Sequence, residues 1–212
     1  MGKNYQGING NFSGKIGPTV GRQSKGRTIT AIYQPIVKNP RTTKQESNRA
    51  KFALVVDVMH GLAGWARNFC KGITKFGTGY SNLLKINMDG DVVAGSYPNF
   101  EFLYNKAELS RGILGCGYSP SAVIDSGVLG ASWTDDTDGV INLSTDKASL
   151  AVYNSAKKQW LYNYTSGTRS ERQCSMNLPT AWNGDSIDIW IAFSRPDFSE
   201  VSNSQYLGNM SI

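Results

Sequence analysis

Apolar side chains recur every three or four residues between Ala50 and Phe69, which is the spacing of a buried helix face. Thr43 and Glu46 precede them as a capping box, in which the hydroxyl and the carboxylate satisfy free backbone amides at a helix start. This pattern predicts one long helix over about residues 43 to 70.

Two glycines inside that helix, Gly61 and Gly64, allow a bend or a close contact with another helix. A second, shorter helix is predicted over Tyr80–Asn87, and Asp89 and Gly90 end its periodic pattern. The sequence therefore predicts a helical segment before the strands begin.

Beyond the helices, the pattern changes to short strands separated by turn residues. Alternation is clearest in residues 187–193, where Ile187, Ile189, Ile191 and Phe193 share one face. The number and spacing of the later strands are typical of an immunoglobulin-like β-sandwich, although the cysteine–tryptophan–cysteine pattern of antibody domains is absent. The predicted strands are 91–93, 100–104, 108–114, 121–125, 128–134, 148–154, 158–164, 172–177, 187–193 and 206–212.

The first thirty residues are rich in glycine, lysine and arginine. Glycine recurs every three to five residues, which disfavours a helix because each glycine costs about 1 kcal/mol relative to alanine. The pattern indicates an extended arm or tight β-turns whose bare backbone lies against another surface. Ile8, Phe12, Ile16 and Val20 stand four apart between the glycines. We interpret them as apolar anchors for a groove on this chain or a neighbour; a solvated linker is the alternative.

An edge strand is predicted over Ile29–Val37, because Pro35 lacks an amide hydrogen and is therefore confined to sheet edges. The basic arm and this strand form the first predicted region, residues 1–38. A helical or mixed segment follows over residues 39–105, and the immunoglobulin-like sandwich occupies residues 106–212. The expected fold class is mainly β with one long helix.

Charge is distributed unevenly along the chain. Residues 1–75 contain thirteen Lys and Arg against two acids, a net charge of +11. Residues 76–212 contain nine Lys and Arg against fourteen acids, a net charge of −5, and the two values sum to the +6 of the whole chain. A basic half beside an acidic half predicts contact with nucleic acid or with the acidic half of another copy. A solvated basic tail without a dedicated partner is the alternative.

Catalytic and metal-binding patterns are weak in this chain. His60 is the single histidine, and no nucleophile lies within its reach on the predicted helix. The acidic run Asp135–Gly139 is similar to the start of a calcium loop but lacks the later glutamate, so a hairpin turn is the preferred interpretation. Gly14 and Lys15 precede Ile16, where a phosphate loop needs a hydroxyl. We therefore predict no catalytic residue, no metal site, no cofactor and no enzymatic activity.

The basic residues of the first half suit phosphate neutralisation, which weakens steeply as salt rises. Phe12 and Tyr33 could stack on bases, and no motif for base-specific recognition is present. The predicted contacts, to nucleic acid or to another subunit, are Lys15, Arg22, Lys25, Arg27, Lys38, Arg41, Lys44, Arg49 and Lys51.

Three cysteines, Cys70, Cys116 and Cys174, are far apart and never in the spacing of a zinc site. They are typical of buried thiols in a reducing compartment. The first residues lack the apolar core of a signal peptide, and no apolar stretch is long enough to span a bilayer. We expect synthesis in the cytoplasm of a bacterial host, without secretion and without a membrane span.

The segment from Phe12 to Val55 resembles a recurrent pattern of tailed-phage and prophage virion proteins. Its matching pieces, in order, are Ser13-Gly14-Lys15, Asn39-Pro40-Arg41-Thr42, Gln45 and Arg49-Ala50-Lys51-Phe52. The resemblance implies a component of a virion. Ser47 and Asn48 depart from the pattern at positions for which no site is defined.

The whole chain also resembles an uncharacterised Bacteroidota family of about this length. The pieces that carry this resemblance are Met1–Gly7, Leu109–Gly112, Ala151–Gln159, Ile191–Phe193 and Glu200–Gly208. That family implies no activity.

Together these observations predict a virion or virion-like structural protein that self-associates through its N-terminal arm. Its expected partners are further copies and other virion proteins, and its expected final location is the virion. The alternative is a non-specific nucleic-acid-binding or packaging protein that uses the basic half.

Overall fold

The computed structural model of the chain describes residues 12–24, 27–36 and 41–212. The chain divides into two compact units, residues 1–43 and residues 44–212.

The first unit contains a three-stranded antiparallel sheet in the order β1-β2-β3, here called the N-terminal sheet. Its strands are β1 (Gly14–Ile16), β2 (Thr19–Ser24) and β3 (Arg27–Ile32). The turn between β1 and β2 uses Gly17 at φ +55°, and the Thr19 hydroxyl donates to the Ile16 carbonyl at 2.9 Å. Of the two arrangements that the glycine pattern indicates, the chain here adopts tight turns.

The strand predicted over Ile29–Val37 is shifted toward the N-terminus: β3 begins at Arg27 and ends at Ile32. The Tyr33 amide still donates to the Pro18 carbonyl at 2.7 Å. Pro35 has no amide hydrogen to donate, so the ladder does not continue through it.

Three helices follow the N-terminal sheet in chain order: α1 (Thr43–Met59), α2 (Ala63–Phe69) and α3 (Gly79–Asp89). The prediction of one long helix over 43–70 is wrong in its continuity. Gly61 adopts φ +97°, a left-handed conformation that interrupts the helical hydrogen bonds between α1 and α2. The shorter predicted helix is confirmed as α3, whose first turn is capped by the Thr78 hydroxyl accepting from the Ser81 amide at 3.2 Å.

Nine further strands follow the helices, so the chain is mostly β, as predicted. They are β4 (Val93–Ser96), β5 (Asn99–Phe102), β6 (Tyr118–Asp125), β7 (Val128–Thr134), β8 (Lys147–Asn154), β9 (Gln159–Thr168), β10 (Gln173–Asn177), β11 (Ser186–Ser194) and β12 (Gln205–Ser211). Single 3₁₀ turns occur at Tyr104–Lys106, Arg169–Glu171 and Thr180–Trp182.

The strand predicted over residues 108–114 is wrong. Only Leu114 pairs there, in an isolated parallel bridge with Ser202. Side chains satisfy the preceding amides instead: the Leu109 amide donates to Ser204 Oγ at 2.8 Å, and the Gly112 amide donates to Asn203 Oδ1 at 3.0 Å.

Two antiparallel sheets organise the C-terminal half. One has the order β10-β7-β6, here called the three-stranded sheet, and the other has the order β12-β11-β8-β9, here called the four-stranded sheet. Apolar side chains from both form one buried cluster, which includes Leu129, Trp133, Leu150 and Phe193. The facing sheets therefore bury the alternating apolar residues that the sequence pattern marks.

The opposite face of the four-stranded sheet is buried as well. A second cluster joins Ala151 and Trp190 of this sheet to Val55, Trp65 and other residues of the helices. The second unit thus has three layers: the helices, the four-stranded sheet and the three-stranded sheet. For this reason β11 is buried on both faces, and only its first residue is exposed.

Two of the segments that carry the full-length resemblance meet in space. Leu109–Gly112 lies against Glu200–Gly208, and the Ser204 amide donates to the Ser110 carbonyl at 3.2 Å. Gly112 makes this approach possible, because a side chain there would overlap the carbonyl oxygen of Val201. These segments therefore hold the loop before β6 to the loop before β12.

Candidate assembly surface

The N-terminal sheet exposes apolar side chains. Ile16 is 52% exposed, Ile32 is 76% exposed, and Ile36, just beyond β3, is 81% exposed. The strand register places Ile16 opposite Thr19 and Thr19 opposite Ile32, so the two isoleucines share one face. Both buried apolar clusters of the protein consist of residues from the second unit. Within the N-terminal sheet, the Phe12 ring lies over Gly21 on this same face, and Ile16 and Ile32 are exposed.

Phe12 packs against the backbone of Gly21 on β2. An added Cβ at Gly21 would lie only 2.5 Å from the Phe12 ring, so glycine leaves the space that the ring occupies. Of the predicted anchors, Phe12 and Val20 are half-buried, whereas Ile16 is exposed. Two of the predicted anchors are therefore partly covered by the sheet, and the third is exposed to solvent.

Lys15 and Tyr33 interact, with the Lys15 ammonium 3.8 Å from the centre of the Tyr33 ring. This distance is typical of a cation–π contact. Tyr33 is still 41% exposed. The ring predicted to stack on bases therefore already carries a cation on one side.

The other predicted cations occupy two regions. Arg22 is exposed on β2, and Arg27 begins β3. Arg41, Lys44 and Arg49 are exposed at and before the start of α1, while Lys51 is half-buried, with its ammonium 5.2 Å from the Phe100 ring centre. The predicted residues Ile8, Lys25 and Lys38 lie outside the described residues.

No acid precedes Glu46 in the sequence, whereas residues 1–43 contain seven Lys and Arg. The cations of the first unit therefore have no carboxylate partner within their own segment. An acidic partner, whether protein or phosphate, would complement the positive charge of this segment.

A second exposed surface is the outer face of the three-stranded sheet. Aligned rows cross its strands, and the central row is Val123, Gly130 and Ser175. Val123 is 66% exposed, and Tyr118, on the same strand, is 66% exposed. A shallow groove of about 550 Å³ lies on this side of the sheet, and its lining includes Val123, Gly130, Ser132 and Ser175.

The acidic run after Trp133 is a turn held by its own hydrogen bonds, as the preferred interpretation states. Asp138 Oδ1 accepts three backbone amides, those of Val140, Ile141 and Asn142, each at 2.8 Å. These bonds lower the pKa of Asp138, as hydrogen bonds from Thr137 lower that of Asp135. Within residues 12–24, 27–36 and 41–212, no group of three or more His, Cys, Asp or Glu has metal-binding geometry.

Asp136, the remaining acid of this turn, belongs to a buried ion network. Its carboxylate pairs with Arg169, a fully buried cation whose guanidinium also donates to Asp146 at 3.2 Å and to the Gly115 carbonyl at 3.0 Å. Asp146 also accepts from Arg195 at 2.7 Å. The network ties the loops before β6 and β8 to the turn that precedes β10.

Two of the three thiols, those of Cys70 and Cys174, are buried, and the histidine lies at the surface. Burial raises the pKa of Cys70 and of Cys174 to about 12, so both are protonated at neutral pH. The pKa of Cys116 is also raised, mainly by burial. His60 is exposed between α1 and α2.

Sequence reasoning missed three features of these surfaces. The sequence pattern places Ile32 and Ile36 in an edge strand and does not mark them as exposed apolar anchors. The outer face of the three-stranded sheet was missed because short alternating strands do not tell which face is covered. Arg169 was missed because its partners are 23 and 33 residues away in sequence.

Among the helices of the described residues, none is both long and apolar enough to cross a membrane.

Residues 11–208 match the model of a protein family of unknown function, DUF6266. The chain therefore belongs to this family, in agreement with the uncharacterised family expected from the full-length resemblance. No curated protein matches the chain.

Proposed function

We propose that this member of the DUF6266 family is a non-enzymatic structural protein that self-associates through its N-terminal sheet. The observation that carries the proposal is the exposure of Ile16 and Ile32 on a small sheet and of Ile36 just beyond its last strand. Monomeric proteins rarely leave such groups of apolar side chains uncovered without an interaction that uses them.

The energetics favour a partner for this sheet. Fully burying an isoleucine contributes roughly 1.5–3 kcal/mol, so the three exposed isoleucines offer a useful part of an association energy. Packing of its apolar face against another surface would add to the stability of a sheet this small. A neighbouring copy would provide that surface.

The strand order of the second unit supports an immunoglobulin-like body. If the strands of residues 118–211 are lettered A to G in chain order, A, B and E form one sheet, while C, F and G lie in the other. Immunoglobulin-like sandwiches divide these strands in the same way; here the fourth strand joins the C–F–G sheet. Such modules serve many functions, so this architecture supports a stable body and not a particular activity.

The resemblance of residues 13–52 to tailed-phage virion proteins supports a setting for the assembly. We propose that the protein is made in a bacterial cytoplasm and enters a virion or virion-like particle with other structural proteins. Isolation of such particles from a producing strain, followed by mass spectrometry, tests this setting. Absence of the protein from purified particles would contradict it.

Light scattering after gel filtration tests self-association. We expect the nuclease-treated protein to be an oligomer at both low and high salt, and the variant Ile32→Asp to be a monomer, because a carboxylate at an apolar contact loses its hydration. Val140→Asp is the matched control, because Val140 is 80% exposed on the acidic turn. A wild-type monomer at every concentration would sink the proposal.

A second candidate function is non-specific nucleic-acid binding, which is favoured by the seven cations and the absence of acids in residues 1–43. Salt distinguishes the two functions. Phosphate contacts by six or more cations weaken by roughly three to five orders of magnitude between about 50 and 200 mM salt, whereas an apolar assembly persists. Fluorescence anisotropy with a labelled DNA duplex measures this slope. The variant Arg22→Ala is expected to reduce the slope by about one charge if nucleic acid is the partner.

A further inference from the structure

We propose that the two faces of the N-terminal sheet serve different partners: its basic face binds the phosphate backbone of a nucleic-acid duplex, and its apolar face stays open for another copy. This inference rests on the proposed self-association for the apolar face. It goes beyond that function, because it makes nucleic-acid binding and assembly simultaneous activities of one sheet.

The strand register separates the two kinds of side chain. Lys15 and Ile16 are neighbours on β1, so they point to opposite faces. Lys15 pairs with Val20 on β2 and therefore shares a face with Val20 and with Arg22, two residues further on. Ile32 lies on the face of Ile16. The sheet thus has one apolar face and one basic face.

Tyr33 holds one cation of the basic face in place. The Lys15 ammonium lies 3.8 Å from the centre of the Tyr33 ring, which independently places both side chains on the same side of the sheet. A cation–π contact restrains the lysine without neutralising its charge. Arg22, on the same face, is exposed. The face therefore presents positive charges at defined positions.

Carboxylates do not balance these charges within the unit that contains the sheet. The first acid of the chain is Glu46, which follows the unit of residues 1–43, and that unit contains seven Lys and Arg. Among the ion pairs formed by the described residues, none includes Lys15 or Arg22. A positively charged surface of this kind attracts a polyanion.

A duplex fits this face better than the acidic half of another copy does. Eight of the sixteen acids of the chain already pair with a Lys or Arg of the second unit. They are Asp57, Asp89, Glu108, Asp135, Asp136, Asp146, Asp185 and Glu200. A duplex, in contrast, carries one negative charge per about 1.7 Å of its axis, and its counterions are released when cations of a protein replace them.

The opposite orientation of the two faces has a functional consequence. A copy that docks through its apolar face keeps its basic face open to a duplex. Assembly then brings several basic faces together, and their combined contacts raise the affinity for a long duplex without any new contact within a copy.

Fluorescence anisotropy with a labelled DNA duplex tests the basic face in single copies of the full-length Ile32→Asp variant. We expect this variant to bind, because Ile32 lies on the other face. Adding Lys15→Ala and Arg22→Ala is expected to lower the slope of log affinity against log salt by about 1.8, at about 0.9 for each phosphate contact. The matched control adds Lys71→Ala and Lys106→Ala, which remove two exposed cations of the second unit and should leave the slope unchanged.

Light scattering tests the separation of the faces. We expect Lys15→Ala/Arg22→Ala, in the otherwise wild-type chain, to form the same oligomer as the wild type and to bind the duplex more weakly. Circular dichroism checks that each variant is folded.

The outcomes separate this inference from the function on which it rests. If neither the wild type nor Ile32→Asp binds the duplex at about 50 mM salt, the basic face is wrong and self-association stands. Binding of polyglutamate in place of the duplex would assign the face to an acidic protein and also overturn the inference. Loss of duplex binding through Ile32→Asp alone would mean that both partners use one face. A monomeric wild type whose duplex binding depends on Lys15 and Arg22 would contradict self-association and support the basic face.

Discussion

Arg169 is a fully buried cation, and its surroundings explain why the fold accepts it. The guanidinium pairs with Asp136 and Asp146, donates to a carbonyl, and lies 4.4 Å above the Phe193 ring. A charge removed from water is tolerated when opposite charges and hydrogen bonds replace its hydration. If Arg169 were removed, the carboxylates of Asp136 and Asp146 would stay buried without their cation, and the folded state would lose stability.

We therefore expect Arg169→Ala to lower the free energy of unfolding by about 3 to 5 kcal/mol, because Asp136 and Asp146 lose a buried partner. Urea unfolding followed by tryptophan fluorescence measures the change. Arg111→Ala is the control, since Arg111 forms an exposed pair with Glu108 at 2.7 Å and should cost under about 1 kcal/mol. Equal losses in the two variants would contradict a stabilising role for the buried network.

At the same scale, the sequence predicted the acidic turn but not the network. Asp138 and Gly139 indicated a turn because their local hydrogen bonds span only a few residues. Nothing local to Asp136 distinguishes it from Asp135, and its pairing with Arg169 depends on how distant loops meet.

Among the elements, glycines decide where helices end and where loops touch. Gly61 separates α1 from α2, and the sequence pattern alone predicted a single helix because the apolar spacing continues through the break. The spacing identified the buried face correctly: Val58, Leu62, Trp65 and Phe69 all belong to one cluster. Periodicity reports the face of a helix well and its continuity poorly.

Gly112 gives the sharpest test at the element scale. We expect Gly112→Ala to lower the free energy of unfolding by about 2 to 3 kcal/mol, because the new methyl group overlaps the Val201 carbonyl and must separate two loops. Chemical denaturation measures the loss. Gly130→Ala serves as the control because its methyl group enters open space, and it should cost nothing. A tolerated Gly112→Ala would mean that the two loops are not in close contact.

Across the whole molecule, buried thiols and tyrosine hydroxyls make the free energy of unfolding depend on pH in the alkaline range. Burial raises the pKa of Cys70 and Cys174 from 9.0 to about 12, and it raises that of Tyr153 and Tyr164 from 10.0 to about 12. The unfolded chain therefore loses protons at lower pH than the folded chain does. The stabilisation that these four protonated groups give to the folded state is complete below about pH 9 and is lost as the pH rises toward 12.

We accordingly expect the urea midpoint to be constant from about pH 7 to 8.5 and to fall from about pH 9 upward. The variant Cys70→Ala/Cys174→Ala is the matched control: its midpoint should fall less steeply, with the remaining slope due to the tyrosines. A midpoint that rises with alkaline pH would contradict the direction of all four shifts.

The overall architecture was predictable only in part. Alternation in residues 187–193 marked both the strand and the face that meets the three-stranded sheet. It could not show that Trp190 and Ala192, on the opposite face, lie beneath the helices, because a pattern within one strand does not reveal what covers it. For the same reason the exposed isoleucines of the N-terminal sheet were only partly recognised.

The burial of β11 on both faces has a consequence for hydrogen exchange. Its backbone amides lie between two neighbouring strands and beneath two layers of side chains, so they exchange only when the second unit opens as a whole. Deuterium uptake in residues 187–193 thus reports the stability of that unit inside an intact assembly. Uptake at β3 would report, in the same sample, whether the N-terminal sheet is docked.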